Sequence, residues 1–264
     1  MIREMIEQQE RLTFAECASF SSESRGRQRP EVPDPVRTCY MRDRDRVIHS
    51  KAFRRLKHKT QVFISPGNDH YRTRLTHTLE VNQIAKTIGR ALNLNCDLIE
   101  AIALAHDVGH TPFAHCGETV LNECMKNGFR HNINSVRVLS KIEQHGEKRG
   151  LNLSWEVLDG VLHHSGFSQN ETHAATLEGQ IIRYSDKIAY VQHDIDDTIR
   201  ANIFKEEDLP EAFTDILGHN LSERITVLVN ALIAQGQRVT SADWQGERIL
   251  TFSPEIDKAL RGLR

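Results

Sequence analysis

Residues 105–118 read AHDVGHTPFAHCGE, placing three histidines, an aspartate and a glutamate directly after the apolar run IEAIALA. An ionised aspartate at the end of a buried helix is costly unless it meets a cation or binds a metal. Asp107 therefore needs such a partner. His77, on the apolar stripe of a preceding helix, and Asp186, on a later one, could converge with His106 and Asp107. Two imidazoles and two carboxylates make a mixed nitrogen and oxygen site. With no thiolate among the donors, Mn, Fe, Co, Ni, Mg and Zn are all admissible. One divalent ion there would lower the pKa of a water and polarise a phosphoryl oxygen, which points to hydrolysis. Taken singly, His77 reads as a hydrogen-bonded core histidine and Asp186 as part of a solvated helix face. Their joint occurrence on strongly apolar helices favours the metal.

Four helices must position these groups. Over residues 73–92, Val81, Ile84, Ile88 and Leu92 fall at helical spacing, with His77 one turn before Val81 on the same stripe. A second helix is predicted to start with Asp97 as its cap and Glu100 three residues on. Being apolar nearly all round it should be buried, and it should end near His110, because Thr111 precedes Pro112 and is steered out of the helical region. A third is expected over residues 178–203, with Ile181, Ile188, Ile195 and Ile199 on one face and Asp186, Tyr190, His193, Asp194 and Asp197 on the adjoining one. The fourth, over residues 221–235, opens on the capping box Asn220-Leu221-Ser222-Glu223 and should stop at Gly236. Ser253-Pro254-Glu255 reads as a cap with proline at the first helical position, opening a last helix that looks cut short.

The fold class expected is all-α. Residues 1–36 form an N-terminal arm, irregular and proline-bearing over 19–35, and residues 37–264 form one helical core. No alternating strand pattern and no internal repeat stand out. A net charge of −2 gives no general attraction to nucleic acid or membrane. The five cysteines are scattered without a C-x-x-C pair, indicating neither a disulfide framework nor a thiolate zinc site and fitting a reducing cytoplasm. No apolar stretch approaches the roughly 18 residues of a membrane span. The sequon Asn170-Glu171-Thr172 reads as chance, and Arg42-Asp43-Arg44-Asp45-Arg46 as a self-compensated solvated turn.

Beyond the order H…HD…D, the flanking text is specific: HSKAFRRLKHKTQVF (residues 49–63), RTRLTHTLEV (72–81), AHDVGHTPFAHCGE and YSDKIAYVQHDIDD (184–197). Together these segments resemble the HD-domain deoxynucleoside triphosphate triphosphohydrolases, the bacterial dGTPase-like family, over residues 37–203. FSPEIDKAL resembles a late helix of that family. The resemblance implies an HD-domain helical bundle that hydrolyses deoxynucleoside triphosphates to deoxynucleoside and triphosphate, by attack of a metal-activated water on the α-phosphorus. It implies His77, His106, Asp107 and Asp186 as metal ligands, and His115, Glu118 and His110 as catalytic residues. His115 would protonate the leaving 5′-oxygen with Glu118 supporting its charge. It further implies substrate contacts from Gln61, Arg74, His131, Lys187, Tyr190 and Asp194, with Tyr190 packed on the deoxyribose so that a 2′-hydroxyl is excluded.

Other readings stay open at this point. Another HD phosphohydrolase, acting on monophosphates, cyclic dinucleotides or alarmones, lacks a reason for the Tyr190 and Asp194 face. A catalytically silent nucleotide sensor has no use for the His115 and Glu118 pair, and extended nucleic-acid binding is disfavoured by the charge balance. A nucleotide effector and a homo-oligomer are expectations of the resemblance. The preferred base is not readable, since base contacts come from variable loops.

Overall fold

The computed structural model describes residues 1–61, 72–166 and 172–263. The sequon and the end of the segment beginning at His49 fall partly outside them. Along the chain come α1 (Ile2–Thr13), α2 (Cys39–Ile48), α3 (Lys51–Arg55), α4 (Arg74–Ala91), α5 (Cys96–Ala105), α6 (Ala114–Cys124) and α7 (His131–Arg137). They are followed by a two-residue-per-strand hairpin, β1 (Gln144–His145) with β2 (Lys148–Arg149), and then by α8 (Trp155–His163), α9 (Leu177–Arg200), α10 (Glu211–Leu217), α11 (Leu221–Thr240) and α12 (Pro254–Gly262). The fold is all-α apart from that hairpin among the described residues.

Helix α5 is the axis. Seven of its ten residues are buried, and α2, α4, α8 and α9 all pack on it. Its start lies two residues earlier than the acid at Asp97 suggests. Asn95 is the cap, its side-chain oxygen accepting from the amides of Asp97 (3.1 Å) and Leu98 (3.2 Å). Asp97 instead faces Arg44. The stripe on α4 is buried as expected, as are Ile181, Ile188 and Ile195 on α9. Ser253 caps α12 by accepting from the Ile256 amide, with Pro254 at the first position.

The N-terminal arm opens on a helix and is pinned by buried carboxylates. Glu178 of α9 accepts from the Ser19 amide and hydroxyl (both 2.9 Å) and from the Asn95 amide (3.1 Å). Glu10 accepts from the Ser21 amide and hydroxyl. Burial pushes the pKa of both acids up. The run Arg42 to Arg46 is helical, and Asp43 within it is fully buried, paired with Arg27 of the arm and accepting from the Ser154 amide (2.8 Å). It is not a solvated turn, because the arm supplies the cation that lets this acid leave water.

Helix α11 continues through Gly236 to Thr240. The glycine is there for packing, since a Cβ on it would lie 2.4 Å from Leu92 Cδ1 of the buried stripe. Gly236→Val should cost about 1–3 kcal/mol through this overpacking, measured as a lowered urea midpoint with unchanged slope. An unaltered midpoint would show that α11 can shift away from Leu92 freely.

Candidate active site

Three helices converge on one cluster. His77 comes from the first turns of α4, Asp186 from the middle of α9, and His106 and Asp107 follow the last residue of α5. The end of α5 falls at Ala105, earlier than proline steering at Pro112 predicts, because α7 terminates it. Ser135 donates its hydroxyl to the His106 carbonyl (2.7 Å) and accepts from the Gly109 amide (2.9 Å). These are groups a continuing helix would have paired with its own backbone. Gly109 lies so close to this helix that a Cβ would meet the Ser135 nitrogen at 2.1 Å.

The separations are those of a ligand set. His77 Nε2 is 3.0 Å from Asp186 Oδ1 and 4.0 Å from Asp107 Oδ2, while His106 Nε2 is 3.7 Å from each of those two oxygens. Arg74, one turn before His77, forms a buried ion pair with Asp107. Burial works to raise the pKa of both acids, but Arg74 and His106 beside Asp107, and the His106 and His77 rings beside Asp186, hold them well below the usual carboxylate range. Both are thus in the anionic form a metal needs. Burial alone would lower His106, yet the adjacent Asp107 and Asp186 push it up to about 9.

One atom tests the fit. His106 is 0% exposed, its Nδ1–H donates to the Ala103 carbonyl (2.6 Å), and its Nε2 has no hydrogen-bond partner. The carbonyl engages Nδ1 and leaves Nε2 directed at two carboxylates, a place that only a proton or a cation suits. A buried polar atom of this kind is rare in a folded protein unless something binds it. The donor set of two imidazoles and two carboxylates suits a divalent cation.

Beyond α5 the chain reverses through Phe113 and Ala114, both in the left-handed region (φ 65° and 50°). The Thr111 hydroxyl clasps this turn by donating to the Ala114 carbonyl (2.9 Å). Helix α6 then presents His115, which is largely exposed, and Glu118. The carboxylate of Glu118 is shared: His115 Nδ1 lies 3.2 Å away, and His131 contributes its amide (2.7 Å) and Nδ1 (2.9 Å). Burial opposes it, but these bonds hold Glu118 well below its ordinary pKa. His110 stacks on His131 with ring centroids 4.5 Å apart. Burial and the nearby Arg74 push its pKa down to about 2, so it is a neutral ring.

A cavity of about 850 Å³ gathers these groups. Gln61, Arg74, His77, Asp107, His110, His115, Glu118, His131, Asp186, Lys187, Tyr190 and Asp194 all line it, and His106 lies beneath them. Lys187 is pushed down to about 8 by burial and by Arg183. Two histidines in this region escape the motif reading. His164, at the end of α8, donates Nδ1–H to the Val161 carbonyl (2.7 Å) and brings Nε2 to 3.2 Å from His131 Nε2. Burial, His106 and His131 push it down to about 3. His193 lies behind His77. The signal for His164 is the doubled histidine at the end of an apolar helix, and that for His193 its place on the Asp186 face.

Residues 74–191, spanning His77, His106, Asp107 and Asp186, match the HD domain family. The chain is 58% identical over its full length, and over 75% of the relative's, to a deoxyguanosinetriphosphate triphosphohydrolase-like protein of Clostridium perfringens (strain SM101 / Type A). It is 60% identical, again over the full chain and 74% of the relative, to the protein of that name from Clostridium tetani. A Brucella suis protein of the same name is 46% identical over 87% of this chain and 67% of its own length. The protein belongs to the deoxyguanosinetriphosphate triphosphohydrolase-like family of HD-domain proteins. No helix among the described residues is long and apolar enough to cross a membrane.

The ligand geometry makes a direct prediction. After expression and desalting, His106→Ala should lose stoichiometric divalent metal by elemental analysis, whereas Glu118→Gln should retain it. Equal metal content in both would place the ion outside the His77, His106, Asp107 and Asp186 set.

Proposed function

We propose that the protein hydrolyses deoxynucleoside triphosphates to deoxynucleoside and intact triphosphate. The observation that carries this reading is the convergence on one cavity. Residues drawn from five separate stretches of sequence, to which the family resemblance gives roles in ion binding, proton transfer and sugar recognition, line the same 850 Å³ space. The names of the relatives support a nucleoside triphosphate as substrate.

A divalent ion held by His77, His106, Asp107 and Asp186 supplies, when bound, the acidity that makes water a nucleophile at neutral pH and the charge that polarises a phosphoryl oxygen. The remaining work falls to the chain. Water adds at the α-phosphorus, the bond from that phosphorus to the 5′-oxygen breaks, and His115 delivers a proton to the departing oxygen. Glu118, 3.2 Å from His115 Nδ1, stabilises the imidazolium that must exist before this transfer. His131 completes that arrangement from the other side of the carboxylate. Its side chain and His110 form a wall for the phosphate tail, and Lys187 adds positive charge. Arg74 serves Asp107 first, holding the carboxylate in place, and presents its remaining guanidinium edge to the same wall.

Tyr190 and Asp194, one turn apart on α9, face the cavity beyond Asp186. A ring against C2′ leaves no room for a ribose hydroxyl, and a carboxylate one turn on can accept from a 3′-hydroxyl. This face favours a deoxyribose over a ribose, while the number of phosphates is for the product analysis to establish.

The test is a product analysis. With manganese or cobalt, each of the four deoxynucleoside triphosphates is expected to release intact triphosphate, and GTP is not. Orthophosphate or pyrophosphate as the main product would refute the reading. His115→Ala should lower kcat by about 10²- to 10⁴-fold, the span of general acid catalysis, with metal content unchanged.

A further inference from the structure

Each imidazole of an ion-binding cluster needs its second nitrogen settled, because that nitrogen decides which tautomer faces the ion. His106 settles its own within its helix, by donating to the Ala103 carbonyl. His77 does not. Its Nδ1 is 3.3 Å from Nδ1 of His193, a residue of α9 that is 3% exposed, with the two rings nearly perpendicular. The other nitrogen of His193, Nε2, lies 2.9 Å from Oε2 of Glu80, one turn after His77 on α4. Arg72 reaches the second oxygen of Glu80 at 3.4 Å, and through the same guanidinium donates to Asp196 (2.7 Å) and Asp197 (2.8 Å) on α9.

The protons in this chain follow from electrostatics. The imidazole N–H does not point squarely along the line to Glu80, but a carboxylate 2.9 Å from an imidazole nitrogen still selects the protonated nitrogen, since a lone pair there would repel it. His193 therefore carries its proton on Nε2 and exposes a lone pair on Nδ1. That lone pair accepts from Nδ1–H of His77. With an ion at the cluster, His77 Nε2 would present its lone pair there, the ion taking the place of the hydrogen bond that this nitrogen makes with Asp186 Oδ1 at 3.0 Å.

We propose that His193, backed by Glu80, is a positioning residue that fixes the orientation and tautomer of His77 and thereby sets the affinity of the cluster for its divalent ion. This rests on the metal reading above and deepens it. The relay joins α4 to α9, the two helices that bring His77 and Asp186 together. It makes ion affinity depend on residues that do not touch the ion.

Cobalt(II) titration against a competing chelator tests this in the full-length protein, with visible absorption reporting the ligand field. His193→Phe keeps a ring of similar bulk and removes the acceptor. It should weaken cobalt binding by about 10- to 100-fold, the usual loss when the partner of a ligating histidine is removed. Glu80→Ala, at a partly exposed position, should weaken it several-fold while the chelator-treated protein melts at the wild-type temperature. That combination is not expected of a residue that only supports the fold. If His193→Phe fails to fold, Glu80→Ala decides alone. Wild-type cobalt affinity in Glu80→Ala, or in both variants, overturns the relay and leaves the metal reading standing. Failure of the wild-type protein to bind cobalt removes the metal reading itself.

Discussion

Two ionised carboxylates sit side by side at the meeting of α4, α5 and α9, and the remainder of the site follows from how they are tolerated. Removing a carboxylate from water costs several kcal/mol even after relaxation, and here there are two. Arg74 neutralises one of them directly. The other is faced by His77 and His106, each with its Nε2 turned inward. The cluster therefore demands positive charge by construction, from a proton or a cation. The surrounding bundle supplies the rigidity to keep it so: α5 is buried on almost every side, and its neighbours cannot drift apart to let the acids separate.

Much of this was legible in the chain. The apolar run ending at Ala105 made an acid at position 107 anomalous, and the stripes on α4 and α9 pointed His77 and Asp186 inward. What escaped sequence reading was set by contacts between distant segments. Proline steering placed the end of α5 near His110, but Ser135, arriving from α7, ends the helix first. Gly236 has the form of a helix terminator, yet it is a notch for Leu92 within a continuing helix. Asp43 looked like one charge in an alternating surface run, and its burial depends on Arg27 in a segment without periodicity. His164 and His193 stand where a doubled histidine and the Asp186 face put them, but neither pattern shows what the ring meets. Their importance lies in nitrogens that meet across helices.

The break after α5 divides the site into two differently supported halves. Between Asp107 and His115 the chain passes through the clasped left-handed turn, and the second half begins on a helix of its own. Had α5 run on, His115 and Glu118 would project along its axis, away from the ion cluster. The reversal at Phe113 brings both back over the cavity floor. His110 and His131, stacked on one another, occupy the seam between the halves.

The support of α6 has a consequence of its own. No side chain of this helix is buried, so the element carrying His115 draws little stability from the core. It is tethered at its start by the turn at Thr111 and from its side by the bonds of Glu118 to His131. Local opening free energies track such support. The half with His77, His106, Asp107 and Asp186 thus belongs to the most persistent part of the molecule, while His115 and Glu118 sit on an element that draws little from the bundle. The arrangement of α6 and the folded core are thus separable, and warming that loosens the first can leave the second in place.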